Sequence, residues 1–274
     1  MPPAPLRIID LERDPIHQLR FSNASKRGGV ESQLLPILAG RASGLPPEVD
    51  GLVLTSDLQG VVPSYARGGQ NVLLGVELVE VLLALSDERL IPEPSGLGVV
   101  LAGDLFSAPG GDVRGATGDV RAVWEAFAAS FRWVAGVAGN HDQFGSDKEQ
   151  RRLASREGVE LLDGRVARLD ELPVGGVGYI MGHPAKVGRR SEQDFMAALS
   201  LTLEQAPSLL VLHQGPDGVG RRQRGSELVR ELLELAPPDL VVCGHVHWDD
   251  PLAELTHEAQ VVNVDGRVIV LTRA

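Results

Sequence analysis

At 274 residues, with 43% apolar residues, the chain is long enough to bury a large core, and its net charge of −11 argues against broad binding to long nucleic acids. Its single cysteine, Cys243, excludes an intrachain disulfide and fits a reducing compartment. The N-terminal stretch MPPAPLRIIDLERDP lacks the pattern of a signal peptide, and no apolar run approaches the ~18 residues that cross a bilayer. We therefore expect a cytoplasmic protein that makes no membrane contact.

The first 50 residues have the weakest pattern. LRIIDL predicts a strand, and VESQLLPILAG predicts a short helix that Pro36 interrupts. The stretches SNASKRGG and SGLPPEVD are loops by composition. We expect residues 1–50 to be an N-terminal extension packed on a single domain that spans residues 1–274.

From residue 51 onward, short apolar runs alternate with segments of helical periodicity. The candidate strands are GLVLT (51–55), GVVLAG (98–103), WVAGVAG (133–139), LLVLH (209–213) and LVVCGH (240–245). The candidate helices cover residues 71–85, 120–131, 147–157 and 226–235. Strands that alternate with helices predict a layered α/β protein.

Two segments depart from this alternation. Residues 159–181 contain three consecutive short strand patterns, VELLDG, RVARL and VGGVGYIMG. The C-terminal run QVVNVDGRVIVL predicts a hairpin with Asp265–Gly266 in its turn, because Asp-Gly suits a type I′ turn. We therefore expect some antiparallel pairing and two sheets rather than one.

Polar side chains capable of metal binding or catalysis follow all five candidate strands. In chain order they are Asp57 with Gln59, Asp104, the group Asn140, His141 and Asp142, His213, and His245 with His247. Alone, Asp104 could be a helix cap and His213 a hydrogen-bonded core residue. Together they predict one shared crevice, since ligands of open α/β sheets bind outside the carboxyl ends of the strands. Gly103, Gly139 and Gly244 precede these residues, where a close approach of backbone leaves no room for a side chain.

The motifs DLQ (57–59), GD (103–104), GNHD (139–142), a single His213 and GHVH (244–247) resemble, in this order, those of the calcineurin-like metallophosphoesterase superfamily. The resemblance covers residues 52–247. It implies an α/β fold, a four-layer αββα sandwich with two mixed sheets flanked by helices.

The resemblance also implies a role for each motif residue. Asp104 would bridge two metal ions; the other ligands would be Asp57, Gln59 and His247 at the first ion, and Asn140, His213 and His245 at the second. His141 would contact the phosphate and protonate the leaving group, while Asp142 would orient the ring of His141. Carboxylate, amide and imidazole ligands suit Mn²⁺ best, with Fe or Zn²⁺ as alternatives. Two such ions can activate a water for attack on a phosphate ester.

Gln59 departs from the pattern, because the superfamily usually has histidine at this position. Side chains two residues apart on a strand point the same way, so we expect Gln59 to face the crevice beside Asp57. It could coordinate the first metal, bind a water on that metal, or leave the first site poorly filled. Since the other motif residues are present, we favour an active phosphodiesterase or phosphatase over a catalytically weak metal-binding scaffold.

Two loops rich in glycine and arginine, GHPAKVGRRS (182–191) and HQGPDGVGRRQRGS (213–226), are candidates for substrate binding. They are equally compatible with solvated surface charge. Their candidate residues are Lys186, Arg189, Arg190, Arg221, Arg222 and Arg224. The second motif continues as GDLFSAPGG, which differs from the GDxVDRG of protein phosphatases. We expect a small nucleotide-like phosphate ester; the alternative is a nuclease-like enzyme that holds a strand end, and no protein partner is implied.

Overall fold

The computed structural model describes residues 4–64 and 68–274, which form two large sheets packed face to face with helices on both outer sides. The helices are α1 (Leu74–Asp87), α2 (Arg121–Ser130), α3 (Asp147–Ala154), α4 (Glu192–Leu203) and α5 (Glu227–Leu235). Short 3₁₀ turns cover Pro94–Gly96 and Thr256–Glu258. No helix within the described ranges combines the length and apolar character that crossing a bilayer requires.

The strands are, in chain order, β1 (Arg7–Leu11), β2 (His17–Ala24), β3 (Val30–Ser43), β4 (Gly51–Ser56), β5 (Val61–Ser64), β6 (Gln70–Leu73), β7 (Leu97–Leu101), β8 (Gly118–Asp119), β9 (Trp133–Gly136), β10 (Asp142–Gln143), β11 (Val159–Leu161), β12 (Arg165–Leu169), β13 (Leu172–Val177), β14 (Ile180–Met181), β15 (Arg189–Arg190), β16 (Leu209–Gln214), β17 (Leu240–Gly244), β18 (Leu252–Glu254), β19 (Gln260–Asn263) and β20 (Arg267–Arg273). The larger sheet has the order β11-β9-β7-β4-β20-β3-β2-β5-β6, with β1 paired to β3. The smaller sheet has the order β12-β13-β16-β17-β19-β18. Two-stranded pairs join β8 to β10 and β14 to β15.

Successive side chains of a strand point to opposite faces of its sheet, so each strand contributes to two core layers. In β4, Leu52 and Leu54 belong to the core between the two sheets, whereas Val53 belongs to the core beneath α1, α2 and α3. On the other side, Phe195 of α4 and Val229 of α5 are buried against the smaller sheet. The order helix, sheet, sheet, helix confirms the four-layer αββα sandwich and the two mixed sheets that the sequence predicts.

The expectations for the N-terminal residues are wrong in two respects. The stretch SNASKRGG is not entirely a loop, because residues 22–24 are the end of β2. VESQLLPILAG is not a helix but lies within the 14-residue strand β3, which pairs with β2 on one side and β20 on the other. Pro36 is tolerated because pairing with β20 begins only at Ile37, so no hydrogen bond to that strand is lost at the proline. Residues 7–43 are therefore strands of the larger sheet itself rather than an extension laid against it.

The predicted C-terminal hairpin is also wrong. Asp265 and Gly266 do form a turn, with Gly266 at a φ of 62°, but β19 belongs to the smaller sheet and β20 to the larger one. The two strands separate because both are buried on both faces and each fills the interior of a different sheet. The short strands at 159–181 are present, although β11 pairs with β9 in the larger sheet rather than with β12.

Candidate metal centre

The parallel strands β4, β7 and β9 of the larger sheet and β16 and β17 of the smaller sheet carry the motif residues at their carboxyl ends. Asp104 follows β7, His213 lies at the end of β16, and His245 follows β17. One potential ligand atom from each of these three side chains lies within 4.8 Å of the others. The predicted convergence of strand ends is therefore observed at three of the five ends as a tight cluster.

Asp104 is the hub of this cluster. Its Oδ1 accepts a hydrogen bond from the backbone N–H of His141 at 2.8 Å. Its Oδ2 lies 3.4 Å from Nε2 of His213 and accepts from Nε2 of Gln59 at 3.2 Å. One buried carboxylate thus contacts three other motifs, while its role as a ligand shared by two metal ions stays a prediction.

His213 is fully buried between the sheets. Its Nδ1 lies 2.8 Å from the carbonyl oxygen of Ala102. Because a carbonyl oxygen can only accept a hydrogen bond, Nδ1 carries a proton. The other ring nitrogen, Nε2, faces Asp104 and lies 3.3 Å from Oδ1 of Asn140. Burial alone lowers the pKa of His213, but the charges of Asp104 and Asp57 outweigh it and raise the pKa to about 10. The cluster therefore favours a positive charge at this position.

The pKa of the neighbouring His245 is shifted in the opposite direction, below its ordinary value. Burial, followed by the charge of His213, lowers its pKa to about 4, so its ring is neutral and available as a ligand. Asp57 accepts hydrogen bonds at Oδ2 from Oγ of Ser56 at 2.7 Å and from the backbone N–H of His245 at 2.9 Å. Burial and the nearby Asp265 raise the pKa of Asp57 well above its ordinary value. The Asp57 carboxyl group and the neutral His245 ring are therefore both groups that can bind a metal ion.

The backbone at these strand ends is strained. Asp57, Asp104 and His245 have φ values of 53°, 56° and 68°, in the left-handed region that non-glycine residues rarely adopt. Each such residue costs of order 1–3 kcal/mol, and strain of this kind concentrates at functional sites. The sharp turns point the three side chains back across the ends of the sheets.

The glycines that precede the motif residues have the role expected from the sequence. A Cβ on Gly139 would lie 2.1 Å from Oδ1 of Asp104, and one on Gly244 would lie 2.3 Å from Oδ2 of Asp57. A Cβ on Gly103 would lie 2.8 Å from Nδ1 of His213. Any side chain at these positions would displace a residue of the cluster.

Gln59 faces the crevice beside Asp57, as predicted, although β4 already ends at Ser56. Leu58, between them, is buried in the core beneath the helices. The strand β17 ends at Gly244, one residue before the end of the candidate strand 240–245, and His247 follows the bend formed by His245 and Val246.

The ring of His247 is turned towards the C-terminal turn. Its side chain is 54% exposed, with Nδ1 3.1 Å from the carbonyl oxygen of Asp265. Nη2 of the buried Arg267 lies 3.0 Å from Nε2 of His247. His247 lines the same crevice as Asp57 but stands outside the tight cluster, and the pattern of motifs gave no sign of Arg267.

The prediction that Asp142 orients the ring of His141 is wrong. The Asp142 carboxylate is buried and accepts three backbone N–H groups, from Gly139 and Asp104 at 2.8 Å and from Leu105 at 2.7 Å. Burial and the charge of Asp104 raise the pKa of Asp142 to about 6, against the lowering effect of the bonds from Gly139 and Leu105. Asp142 therefore holds together the turns that carry Asp104 and His141. The group next to the His141 ring is instead the hydroxyl of Thr117, whose Oγ1 lies 3.4 Å from Nδ1 of His141.

A crevice of about 480 Å³ opens over these residues. Its lining comes from four sources: the motif residues, the loop after β7, the N-terminal strands and the turn between β19 and β20. The lining residues are Phe21, Asn23, Gln33, Leu34, Asp57, Gln59, Asp104, Arg114, Gly115, His141, His245, His247, Asp265 and Gly266. The volume suits a small molecule rather than a long polymer.

The residues predicted to bind substrate lie elsewhere. Within the described residues, no side chain of Lys186, Arg189, Arg190, Arg221, Arg222 or Arg224 belongs to the crevice lining. Arg190 pairs with Asp163 and stacks on Tyr179, and Arg222 pairs with Asp249 at 3.2 Å on the surface. Arg224 lines a neighbouring cavity of about 340 Å³ that also includes His245.

Among the described residues, the arginine that lines the crevice is Arg114, which the motifs and loop composition did not indicate. It lies in the loop that leaves the carboxyl end of β7 directly after Asp104, and this connection was the signal that could have identified it.

The residues present fit a divalent metal site. Asp104, His213, His245 and Asn140 supply oxygen and nitrogen donors of the kind that Mn²⁺, Fe and Zn²⁺ accept. The Nδ1 bond of His213 to a backbone carbonyl also provides the outer partner that metal-binding histidines need to fix the ring.

The comparisons with known proteins agree with this geometry. The solved structure of TT1561 of Thermus thermophilus aligns with a TM-score of 0.55 and 19% identity, covering 78% of this chain and 88% of that one. A second solved structure aligns with a TM-score of 0.54 and 14% identity, covering 80% and 90% of the respective chains. At these identities the likeness shows the fold. None of the curated proteins matches the sequence.

The match at the level of families is more specific. The family model of the calcineurin-like phosphoesterases matches residues 52–249, which include every motif from Asp57 to His247. Since this match covers most of the chain, the protein belongs to the calcineurin-like phosphoesterase family of metal-dependent phosphoesterases.

Proposed function

We propose that the protein hydrolyses small, nucleotide-like phosphodiesters or phosphomonoesters in the cytoplasm, using two divalent metal ions, with Mn²⁺ preferred over Fe or Zn²⁺. The observation that carries this proposal is the cluster of Asp104, His213 and His245 at the base of an open crevice. The acidic lining and limited volume of the crevice favour a small substrate over a nucleic-acid strand.

Two sets of residues would hold the ions. Asn140, His213 and His245 would bind one together with Asp104; Asp57, Gln59 and His247 would bind the other, with Asp104 shared. When bound, the ions would supply positive charge to the phosphate oxygens and promote attack by water.

The chain's own residues would do the remaining work. The ring of His141 lies in the crevice wall with Nδ1 next to Thr117, which leaves Nε2 to give a proton to the departing oxygen. Arg114 also lines this space, and its guanidinium would bind phosphate oxygens that the ions leave free. Asp142 keeps the turns at Asp104 and His141 in register through its three backbone bonds.

The test is hydrolysis of bis(p-nitrophenyl) phosphate and p-nitrophenyl phosphate by protein stripped with a chelator and then reloaded with Mn²⁺, Fe²⁺ or Zn²⁺. We expect no turnover after stripping and recovery with at least one metal. The ratio of the two rates distinguishes a phosphodiesterase from a phosphatase. Binding of metal without hydrolysis of either ester would instead favour the scaffold alternative.

The first ion is expected to bind weakly because of Gln59. The Gln59 amide nitrogen donates to Oδ2 of Asp104, so its carbonyl oxygen can reach a metal only if this bond breaks and the amide turns over. Gln59→His should lower the Mn²⁺ concentration that gives half-maximal activity, since imidazole is the better ligand. Gln59→Ala should raise it.

The measurement is activity against Mn²⁺ concentration for the three proteins, together with metal bound per chain after dialysis. His183→Ala, in an exposed loop outside the crevice lining, is the matched control and should follow the wild-type curve. Superimposable curves for wild type, Gln59→His and Gln59→Ala would show that Gln59 has no part in metal binding.

A further inference from the structure

A second pocket, of about 190 Å³, adjoins the metal crevice on the far side of Gln59. Five residues line both spaces, namely Asn23, Gln33, Gln59, Arg114 and Gly115. The two spaces are therefore neighbours with a shared lining, which brings the pocket within reach of a ligand whose phosphate lies in the crevice.

The N-terminal strands build the outer wall of this pocket. In the antiparallel pair of β2 and β3, Phe21 lies opposite Gln33 and Asn23 lies opposite Glu31. Because side chains alternate along a strand, these four residues share one face of the pair. These strands precede residues 52–249, so the wall is added by a part of the chain that the family match does not include. The loop after β7 forms the opposite wall with Phe106, Val113 and Arg114.

Three of the seven polar side chains that line the pocket are carboxamides, Asn23, Gln33 and Gln59, and the other four are Lys26, Glu31, Ser107 and Arg114. Oδ1 of Asn23 accepts the backbone N–H of Ala24 at 2.7 Å, which leaves its Nδ2 to face a ligand. Nε2 of Gln33 donates to Oε1 of Glu31 at 2.6 Å, which leaves the Gln33 Oε1 as an acceptor. Donors and acceptors in this alternation match the edge of a nucleobase, which carries both.

Apolar and cationic groups in the pocket lining also suit a nucleotide. Val113 is 54% exposed in the lining of the pocket, where it offers apolar surface to the face of a ring. Arg114, at the junction of the two spaces, and Lys26, at the far end, offer charge to phosphate. The pocket volume is about that of a single base-sized ring system.

We propose that this pocket binds the nucleoside portion of a nucleotide ester whose phosphate lies in the crevice beside Arg114. Asn23 and Gln33 contact the base edge, and Arg114 contacts the phosphate. The proposal rests on the proposed phosphoesterase function and assigns the substrate class to nucleotides.

The probes are the four 5′-monophosphates of adenosine, guanosine, cytidine and uridine, with inorganic phosphate as the reference. Each is titrated as an inhibitor of bis(p-nitrophenyl) phosphate hydrolysis and, separately, by calorimetry on the metal-loaded protein. We expect at least one nucleotide to bind about 10-fold or more tightly than phosphate, as one or two hydrogen bonds provide. Calorimetry keeps the test independent of turnover, so failure of the proposed hydrolysis leaves this ratio measurable.

Variants separate the base contact from the phosphate contact. Gln33→Ala and Asn23→Ala should each reduce the ratio of nucleotide to phosphate affinity several-fold, whereas Arg114→Ala should weaken nucleotides and phosphate alike. Ser32→Ala is the control for Gln33, because Ser32 lies on the opposite face of β3 and accepts from Arg20 at 3.2 Å. Arg27→Ala, at the exposed tip of the strand pair and outside the pocket lining, is the control for Arg114.

Unfolding temperatures measured alongside show that each variant is folded. Two results would overturn the proposal. One is equal affinity of all four nucleotides and phosphate for the wild-type protein. The other is a ratio that Gln33→Ala and Asn23→Ala leave unchanged.

Discussion

Replacing Asp104 with asparagine is expected to remove most of the bound metal and to lower kcat/KM by on the order of 10³-fold. The reason is the number of contacts that converge on this carboxylate: its two oxygens meet the His141 backbone N–H, the Gln59 amide and Nε2 of His213. Asparagine has the same shape but loses the negative charge, and its amide would face another donor. A loss of several kcal/mol of metal and phosphate stabilisation corresponds to a rate effect of this size.

The measurement is metal content per chain by mass spectrometry after dialysis, followed by turnover of bis(p-nitrophenyl) phosphate with added Mn²⁺. Asp170→Asn is a matched control, because Asp170 is also a carboxylate with several partners, Arg132 and Trp133, but lies outside the crevice lining. The control should keep its metal and its activity. An Asp104→Asn protein with the full metal content of wild type would contradict the bridging role.

The convergence of the motif residues was predictable because each follows directly on a short apolar run. Such runs become buried strands, and parallel strands present their carboxyl ends at one edge, so the order of motifs implied a shared crevice. Gly139 and Gly244 were interpretable for the same reason, since each precedes a ligand residue and a Cβ there would collide with Asp104 or Asp57.

The wall of the crevice was not predictable in this way. VESQLLPILAG looks helical because apolar residues crowd together around Pro36, and only pairing with β2 and β20 makes it a strand. The pairing with β20 connects residues more than 200 positions apart, which no local pattern reports, whereas β2 and β3 are neighbours in the chain and form a hairpin. Asn23 and Gln33, which carry the proposed nucleoside pocket, lie in this hairpin, and the loop-like composition of SNASKRGG and the apolar residues around Pro36 concealed its two strands.

A residue next to a motif residue in the chain need not contact its side chain, and the predicted contact between Asp142 and His141 was wrong for this reason. Asp142 follows His141, yet the turn directs its carboxylate inward to three backbone N–H groups and leaves the ring beside Thr117. The arginine-rich loops similarly suggested substrate binding by composition, whereas Arg114 reaches the crevice because its loop leaves the end of β7. Composition identifies charge, but the strand end from which a loop departs determines where that charge lies.

His141→Ala is expected to lower turnover of esters with poor leaving groups by ~10²–10⁴-fold while leaving metal content unchanged. The ring lies in the crevice wall, outside the cluster of Asp104, His213 and His245, so its loss removes no ligand atom from that cluster. The backbone N–H that His141 donates to Asp104 is kept by alanine, and the site should stay assembled. What is lost is the proton that the ring would give to the leaving oxygen.

A series of aryl phosphodiesters with leaving-group pKa values from below 6 to above 9 measures this proton transfer. Good leaving groups depart without a proton, so the ratio of wild-type to His141→Ala rates should be small for them and should grow as the leaving group becomes more basic. Thr117→Val should give a weaker version of the same trend, because it removes the hydroxyl next to Nδ1 but keeps the ring. A constant ratio across the series would exclude proton donation and would leave His141 with phosphate binding alone.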